Sequence, residues 1–382
     1  MKKLAAAVLA MCAAALGHET LTTTVLFDRE IRRILDSHCV MCHAEKGPSF
    51  PLETYEQTWL RKRPIRAEVI SRHMPPWPAV PGYGQFANDN GLTLRETQFV
   101  VSWVEGLGPR NSGTVFTNTA VPGAPRPAVV SAHPDFGHWH LGQPQLTRQL
   151  SANAIEPQSG NQMKRVVVDL GLTQGRRLQS LEYMPGDRRV VRAAFFTIQE
   201  TGQWIGSWTP WYGFYSLPKG AAIPLAAGSH VVAELYYRGV KERVTDQGTL
   251  GLTFASEPSS NPVSDIVLNA KGEGQKLQAA TRLTAETHVV ALRTQTMEAV
   301  KSIEVSARKP DGGTAVLLFA KDFQQDWPTP YIFKEPMVLP SGSELRVVAY
   351  TASAATIAHP AELRLTASMY RKPAAPRALP HR

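Results

Sequence analysis

The chain is short of cysteine and of long apolar runs, and each shortage excludes something. Three Cys in 382 residues are too few to staple a fold with disulfides. Past the first few residues no apolar run reaches the roughly 20 positions that a membrane-spanning helix needs. Phosphate-binding loops, Gly-rich dinucleotide fingerprints and nucleophile-elbow motifs are missing from the sequence, and its Ser, His and Asp are too scattered to compose a triad. Charged residues are 19% of the chain and hydrophobic residues 43%, ordinary for a globular protein and incompatible with wholesale disorder. The length suits two or three domains at about 100–200 residues each. The 29 Pro and 28 Gly favour a turn-rich β protein over a helical bundle. The formal charge of +9 by itself leaves nucleic acid, an anionic surface and an acidic protein open as partners.

What is present begins at the N-terminus. Lys2 and Lys3 precede an apolar run from Leu4 to Leu16, followed by small residues. Residues 1–17 therefore read as a cleaved secretory signal, with cleavage between Ala15 and Thr20. A lipid anchor on Cys12 is the rival reading, but Met11 is bulky where that signal wants a small residue. The predicted location is periplasmic or otherwise exported, which removes nucleic acid as a partner and leaves Cys39 and Cys42 as the cysteines of the mature chain.

Those two stand in CVMCH (39–43), the C-x-x-C-H pattern of covalent haem attachment. Two thiols three residues apart on one turn can each form a thioether to a haem vinyl group, and His43 next to them can ligate the iron from the proximal side. The alternatives are a redox dithiol, which wants a βαβ setting, and half a zinc site, which wants a second Cys or His pair; neither setting is visible. Flanking the motif, residues 27–38 place Phe27, Ile31, Ile34 and Leu35 on one helical face. Residues 92–107 open with Thr93 and Glu96 at capping-box spacing and continue with Phe99, Val100, Trp103, Val104 and Leu107 on one stripe. The distal iron ligand must come from between these helices. HMPPW (73–77) offers His73 and Met74, and residue type alone does not choose between them.

From about residue 128 helical stripes give way to short alternating runs, among them 190–198, 230–237, 249–254, 302–307 and 344–350. Their density predicts two antiparallel β-sandwiches. The expected divisions are a signal peptide (1–17), a small all-α domain of cytochrome c type (18–110), a linker (111–127), two sandwiches (128–258 and 263–371) and a disordered tail (372–382). The aromatic run 204–215 reads either as sandwich core or as a platform for a small-molecule or glycan ligand.

CVMCH, FPLETYEQ (50–57), HMPPWPAVPGYGQFANDNGLT (73–93) and WVEGLGP (103–109) together resemble the small cytochrome c domain that is fused, in exported bacterial proteins, to copper type II, ascorbate-dependent monooxygenase-like modules. WHLGQPQ (139–145), LEYMPGDRRVV (181–191), TDQGTLGLTF (245–254) and LPSGSELRVVAY (339–350) are similar to the double jelly roll of peptidylglycine α-hydroxylating monooxygenase-like proteins. The resemblance implies haem c on Cys39 and Cys42, iron held by His43 and Met74, and two jelly-roll halves. It also implies that copper is lost. Arg192 and Ala193 replace a His-His pair, Tyr236 replaces a third His, and Val289 and Ala291 replace a His-x-His pair, leaving Met369. His288 is expected to face away from Val289 and Ala291 by strand alternation. His138 and His140 would share a strand face and, with His133 near, form a second candidate metal site; the plainer reading packs Trp139 and exposes both histidines. The expectation is a mono-haem electron-transfer protein with an acidic redox partner. The alternative is a copper-dependent monooxygenase fed by its own haem.

Overall fold

The computed structural model describes residues 23–112, 137–256, 261–272, 275–295, 300–323, 327–352 and 362–371. The predicted signal segment with Cys12, nearly all of the linker, His133, His359, His381 and the C-terminal tail lie outside them. Strands account for 45% of the described residues and helices for 13%. No helix among the described residues is long and apolar enough to cross a membrane.

A π-turn (Phe27–Ile31) runs into α1 (Arg32–His38), followed by α2 (Tyr55–Trp59), α3 (Lys62–Ile70) and α4 (Leu94–Glu105). Capping boxes start two of them. The Thr93 hydroxyl accepts from the Glu96 amide while Glu96 accepts from the Thr93 amide, and Thr54 and Gln57 repeat the device at α2, satisfying amides that a helix start otherwise leaves unpaired. Phe27, Ile31, Ile34 and Leu35 pack on Val100, Trp103 and Val104 in a small core.

The first sandwich contains β1 (Leu146–Gln149), β2 (Asn153–Ile155), β3 (Gln162–Asp169), β4 (Arg176–Met184), β5 (Val191–Ile198), β6 (Trp204–Trp208), β7 (Phe214–Ser216), β8 (Ala221–Leu225), β9 (His230–Tyr237), β10 (Val244–Asp246), β11 (Thr249–Phe254) and β12 (Asn261–Pro262). One sheet runs β1-β11-β4-β8-β12 with β7 beside β4, the other β3-β9-β5-β6, and β2 and β10 form a separate ribbon. The second sandwich contains β13 (Ser264–Ala270), β14 (Lys276–Arg282), β15 (Thr287–Gln295), β16 (Val300–Arg308), β17 (Thr314–Lys321), β18 (Pro330–Leu339), β19 (Glu344–Thr351) and β20 (Leu363–Arg371), in sheets ordered β13-β20-β15-β18 and β14-β19-β16-β17. The two sandwiches are tied together. Asp265 accepts from the Trp204 amide (2.7 Å) and the Ser368 hydroxyl (2.6 Å), and Arg293 pairs with Glu234 at 2.5 Å, both largely buried.

The fold class expected from the sequence is corrected at its helical end. The few helices are short, and the segment that carries them does not stand as a separate all-α cytochrome domain. Residues 77–90 belong structurally to the second sandwich. The Val80 amide donates to the Phe319 carbonyl and the Lys321 amide to the Pro78 carbonyl, on β17; the Ala87 amide donates to the Ile332 carbonyl and the Lys334 amide to the Gln85 carbonyl, on β18. β17 and β18 are end strands of the two facing sheets, so this strap closes both edges at one side, the usual need of an unpaired strand. Trp77, Ala79 and Phe86 enter the second sandwich's core, where Trp77 and Phe86 pack on Tyr331. Asn88, buried, completes the strap: its Nδ2 donates to the Pro330 carbonyl (2.7 Å) and its Oδ1 accepts from the Ile332 amide (3.0 Å). The resemblance to a cytochrome c domain fused to a monooxygenase-like module fails here, because the architecture that it implies has a self-contained helical domain.

Candidate cofactor site

The turn that ends α1 positions the motif. The Cys42 amide donates to the Cys39 carbonyl at 3.0 Å and the His43 amide to the same oxygen at 2.9 Å, so the two thiols and the imidazole leave one tight turn. Cys39 packs with the helical core, whereas Met41 and Cys42 pack with the core of the second sandwich. The turn therefore bridges two cores. Both cysteines are free and half-buried. Burial pushes the Cys39 thiol up to about 12, with Cys42 and Asp36 adding to it. Burial also raises Cys42, to about 11, against the opposing charges of Arg192 and Arg188. Both are neutral thiols at neutral pH.

The loop after the motif orients His43. Its Nδ1 lies 2.9 Å from the Phe50 carbonyl; a carbonyl only accepts, so Nδ1 carries the proton and Nε2 keeps its lone pair. The Phe50 ring sits 4.6 Å from the imidazole. Burial lowers the His43 pKa, against the Phe50 hydrogen bond and with help from Arg192 and Arg61, which holds the ring in the neutral form that a metal ligand needs.

A cavity of about 190 Å³ gathers Cys39, Cys42, His43 and Met74 on its walls, with His38, Ser49, Pro75, Pro76 and Asn90 from the same segment and Arg192, Arg238, Trp211 and Trp327 from the β part. It exceeds the roughly 150 Å³ that admits benzene. A second space of about 340 Å³ shares Met74 and Pro75 as lining and is also bounded by Val69, Ile70, Trp77 and Leu92 among others. His73, the other distal candidate, lines neither space; it is exposed beside Glu68 at 3.5 Å. His38 does line the first, but its Nδ1 meets the Asn90 carbonyl and its Nε2 faces Glu96, so both ring nitrogens are occupied.

The donor set fits haem: two neutral thiols on one turn, an imidazole with its Nε2 unused by its hydrogen bond, and a thioether on the wall of the same cavity. The enclosed space is smaller than a whole porphyrin, so it is the donors rather than the volume that match. Among the described residues no three His, Cys, Asp or Glu side chains converge as a metal-ion site.

The other candidates are dispersed. His138 and His140 sit in a turn before β1 and not on a strand, which corrects the shared-face expectation. The His140 amide donates to Glu182 (2.8 Å) and its ring lies by Phe214, while Trp139 packs over Gly251. Met369 is 2% exposed in the core of the second sandwich, opposite Val289. Strand alternation also fails at β15, where a bulge between Val289 and Ala291 leaves Val290 as the extra residue, so Val289 joins the second core and Ala291 the first. His288 stacks on Tyr370 and bonds Glu286. In the aromatic run, Trp204, Trp208 and Tyr215 are buried in the core of the first sandwich and Trp211 in that of the second. Nothing in the local sequence links Arg192, Arg238, Trp211 and Trp327 to the motif, since only the tertiary fold brings them there.

No family model matches the chain, and no curated protein matches it. Among solved structures, the major capsid protein P2 of bacteriophage PM2 is similar at a TM-score of 0.26 and 9% identity, over 61% of this chain and 100% of that one. The structure titled PNGF-II gives 0.27 and 8% over 61% and 66%. A triple jelly-roll protein of an archaeal virus gives 0.21 and 11% over 58% and 59%. At such TM-scores these likenesses define neither the fold nor the chemistry of this chain.

Proposed function

We propose that the protein carries one covalent haem c and transfers single electrons. The observation that carries this reading is that Cys39, Cys42, His43 and Met74, on two separate segments, line one cavity. Each thiol would add across one vinyl group: the sulfur–carbon bond forms, the C=C bond becomes single, and the thiol proton goes to the other vinyl carbon, so no oxidant is needed. His43 Nε2 and the Met74 sulfur are the residues that would hold the iron. A haem held there supplies a one-electron ferric/ferrous couple. Phe50 keeps His43 in the ligating tautomer, and Trp211 and Trp327 keep water from the inner wall.

The basic leader of residues 1–17 supports export to the periplasm. Arg61, over the Phe50 ring at 4.7 Å, puts a cation and an exposed aromatic ring beside His43, and Lys62, over the exposed Trp59 ring at 3.4 Å, adds a second such pair. That combination suits an acidic redox partner. A further space of about 170 Å³, lined by Tyr236, Arg293, Trp327 and Tyr331 among others, is where a small-molecule ligand of the β part would sit.

The test is production of the mature chain with haem-attachment machinery, followed by optical and metal analysis. The expected result is about one iron per chain with a low-spin spectrum, and a Met74→Ala variant that keeps its covalent haem but loses the six-coordinate His/Met signature. Free thiols with no iron, or stoichiometric copper with substrate-dependent oxygen uptake, would overturn the reading.

A further inference from the structure

Trp327 is a wall of two cavities. It lines the space that gathers Cys39, Cys42, His43 and Met74, and it also lines the space of about 170 Å³ in the β part. Its indole is held by its neighbours. The Trp211 ring centre lies 6.4 Å away. Arg192, the extra residue of a bulge where β5 pairs with β9, sets its guanidinium 4.4 Å from the indole centre, a cation–π distance. A ligand in the second space therefore meets the same ring as the donors in the first.

The lining of the second space says what it takes. Phe195 and Tyr236 come from β5 and β9 of the first sandwich, Arg293 and Tyr331 from β15 and β18 of the second. With Trp327 they give four aromatic rings around a volume just above the roughly 150 Å³ that admits benzene, room for one six-membered ring with small substituents. The cation is already used. Arg293 pairs with Glu234 at 2.5 Å, lies over the Phe195 ring at 4.1 Å and bonds the Tyr236 hydroxyl, so it selects no anion. Two hydroxyls remain for a ligand. Tyr331 is fully buried, and burial alone pushes its phenol up, with no charge or hydrogen bond acting on it. Thr329 spends its proton on the Trp327 carbonyl at 2.9 Å and keeps its lone pairs. A ligand hydroxyl, which both donates and accepts, matches that pair and relieves the cost of an unmade hydrogen bond at Tyr331. A sugar, hydroxylated on nearly every carbon, would leave most of its groups unpaired against these rings.

Resting on the haem reading above, we infer that this space binds a neutral single-ring phenol of the hydroquinone class, and that this phenol is a one-electron donor to the haem. Hydroquinone loses one electron and one hydroxyl proton. The electron reduces ferric iron to ferrous, the proton passes to solvent water, and the neutral ring radical leaves. Two such radicals disproportionate in solution to one hydroquinone and one quinone, so two turnovers consume one hydroquinone and reduce two irons.

The test uses haem-loaded, full-length mature protein and two probes of one class. Resorcinol has the ring and the hydroxyls but forms no stable quinone, and calorimetric titration reads its binding. Hydroquinone reads electron delivery, by stopped-flow reduction of the ferric haem. The expected result is one resorcinol per chain and a reduction rate that saturates with hydroquinone. Thr294→Trp, which adds an indole to the half-buried lining, abolishes binding and saturation together. Tyr331→Phe keeps the ring and weakens resorcinol about tenfold. Reduction by hexaammineruthenium(II), a cation that the site does not take, is unchanged in both variants. Wild type that binds no resorcinol overturns the site. Binding with a reduction rate linear in hydroquinone and untouched by Thr294→Trp overturns the donor role and leaves the haem reading intact. Failure of the haem reading shows earlier, as wild-type protein without a covalent chromophore, and the donor role falls with it. If Thr294→Trp does not fold, Tyr331→Phe decides.

Discussion

Asn88→Ala tests whether the N-terminal segment is part of the second sandwich. The Asn88 side chain is 1% exposed and makes two hydrogen bonds to β18, at 2.7 Å to the Pro330 carbonyl and 3.0 Å from the Ile332 amide. Alanine leaves one buried carbonyl and one buried amide of that strand unpaired, at about 1–3 kcal/mol each. The loss is therefore about 2–6 kcal/mol, a large part of a typical stability of about 5–15 kcal/mol. The assay is denaturant unfolding followed both by far-ultraviolet circular dichroism, which reports the sheets, and by tryptophan fluorescence, which reports all eight Trp, with Trp77 and Trp211 at the seam and Trp103 in the helical core. Both transitions should shift together to lower denaturant with little change in slope. A shift worth less than about 1 kcal/mol, or a displaced fluorescence transition with the sheet transition unmoved, would show that the segment folds apart from the sandwich and that the strap closes nothing.

Other substitutions address single links in the same account. Phe86→Ala empties a site packed against Tyr331 and Phe333 and is expected to cost about 3–5 kcal/mol in the same cooperative transition, measurable by urea unfolding. Thr93→Ala removes the cap of α4 and should cost about 1 kcal/mol. It should also weaken an acid sensitivity: burial would raise the Glu96 carboxyl, but its hydrogen bonds from the Thr93 amide and hydroxyl and the charge of His38 prevail and hold it low. The hydroxyl's share is present above the unfolded carboxylate range and lost as pH falls through the lower folded value, so the gap between wild type and variant should narrow at acid pH without closing, because the hydroxyl's bond to the Glu96 amide is missing at every pH. Asp265 has the opposite sign. Burial raises its carboxyl despite the Ser368 and Trp204 donors, so the folded state binds more protons and stability falls as pH rises from about 4 through the raised value. Asp265→Asn should flatten that segment of the stability–pH curve, and an unchanged slope would contradict the assignment.

What could be read from the sequence depended on the range of the interaction. The strands at 230–237 and 249–254 show strict enough alternation to be located to the residue, and Thr93 with Glu96 marks the start of α4, because period and capping are local properties. The strand Pro330–Leu339 escapes such reading, since Pro336 and the Lys334–Glu335 pair interrupt any alternation. The bulges at Arg192 and Val290 are equally silent. Each adds one residue to a strand, and strict alternation then assigns the neighbours to the wrong faces, as it does for Val289 and Ala291. The strap 77–90 looks like an irregular Pro- and Gly-rich loop because its hydrogen-bond partners, on β17 and β18, lie far along the chain. An expected self-contained helical domain gives way to a segment sewn into a sandwich for the same reason. The motif at 39–43 is a local spacing that sequence displays, whereas Arg192 and Arg238 reach its cavity only once the β-sheet is folded.

The central claim is that Cys39 and Cys42 carry a haem, and intact mass spectrometry of the mature protein addresses it most directly. After production with haem-attachment machinery and denaturing acid extraction, the mass should exceed that of the mature polypeptide by one haem. The added mass should map to the peptide containing residues 39–43 and should vanish in the Cys39→Ser, Cys42→Ser double variant. A polypeptide of unmodified mass with two titratable thiols at those positions would contradict the account.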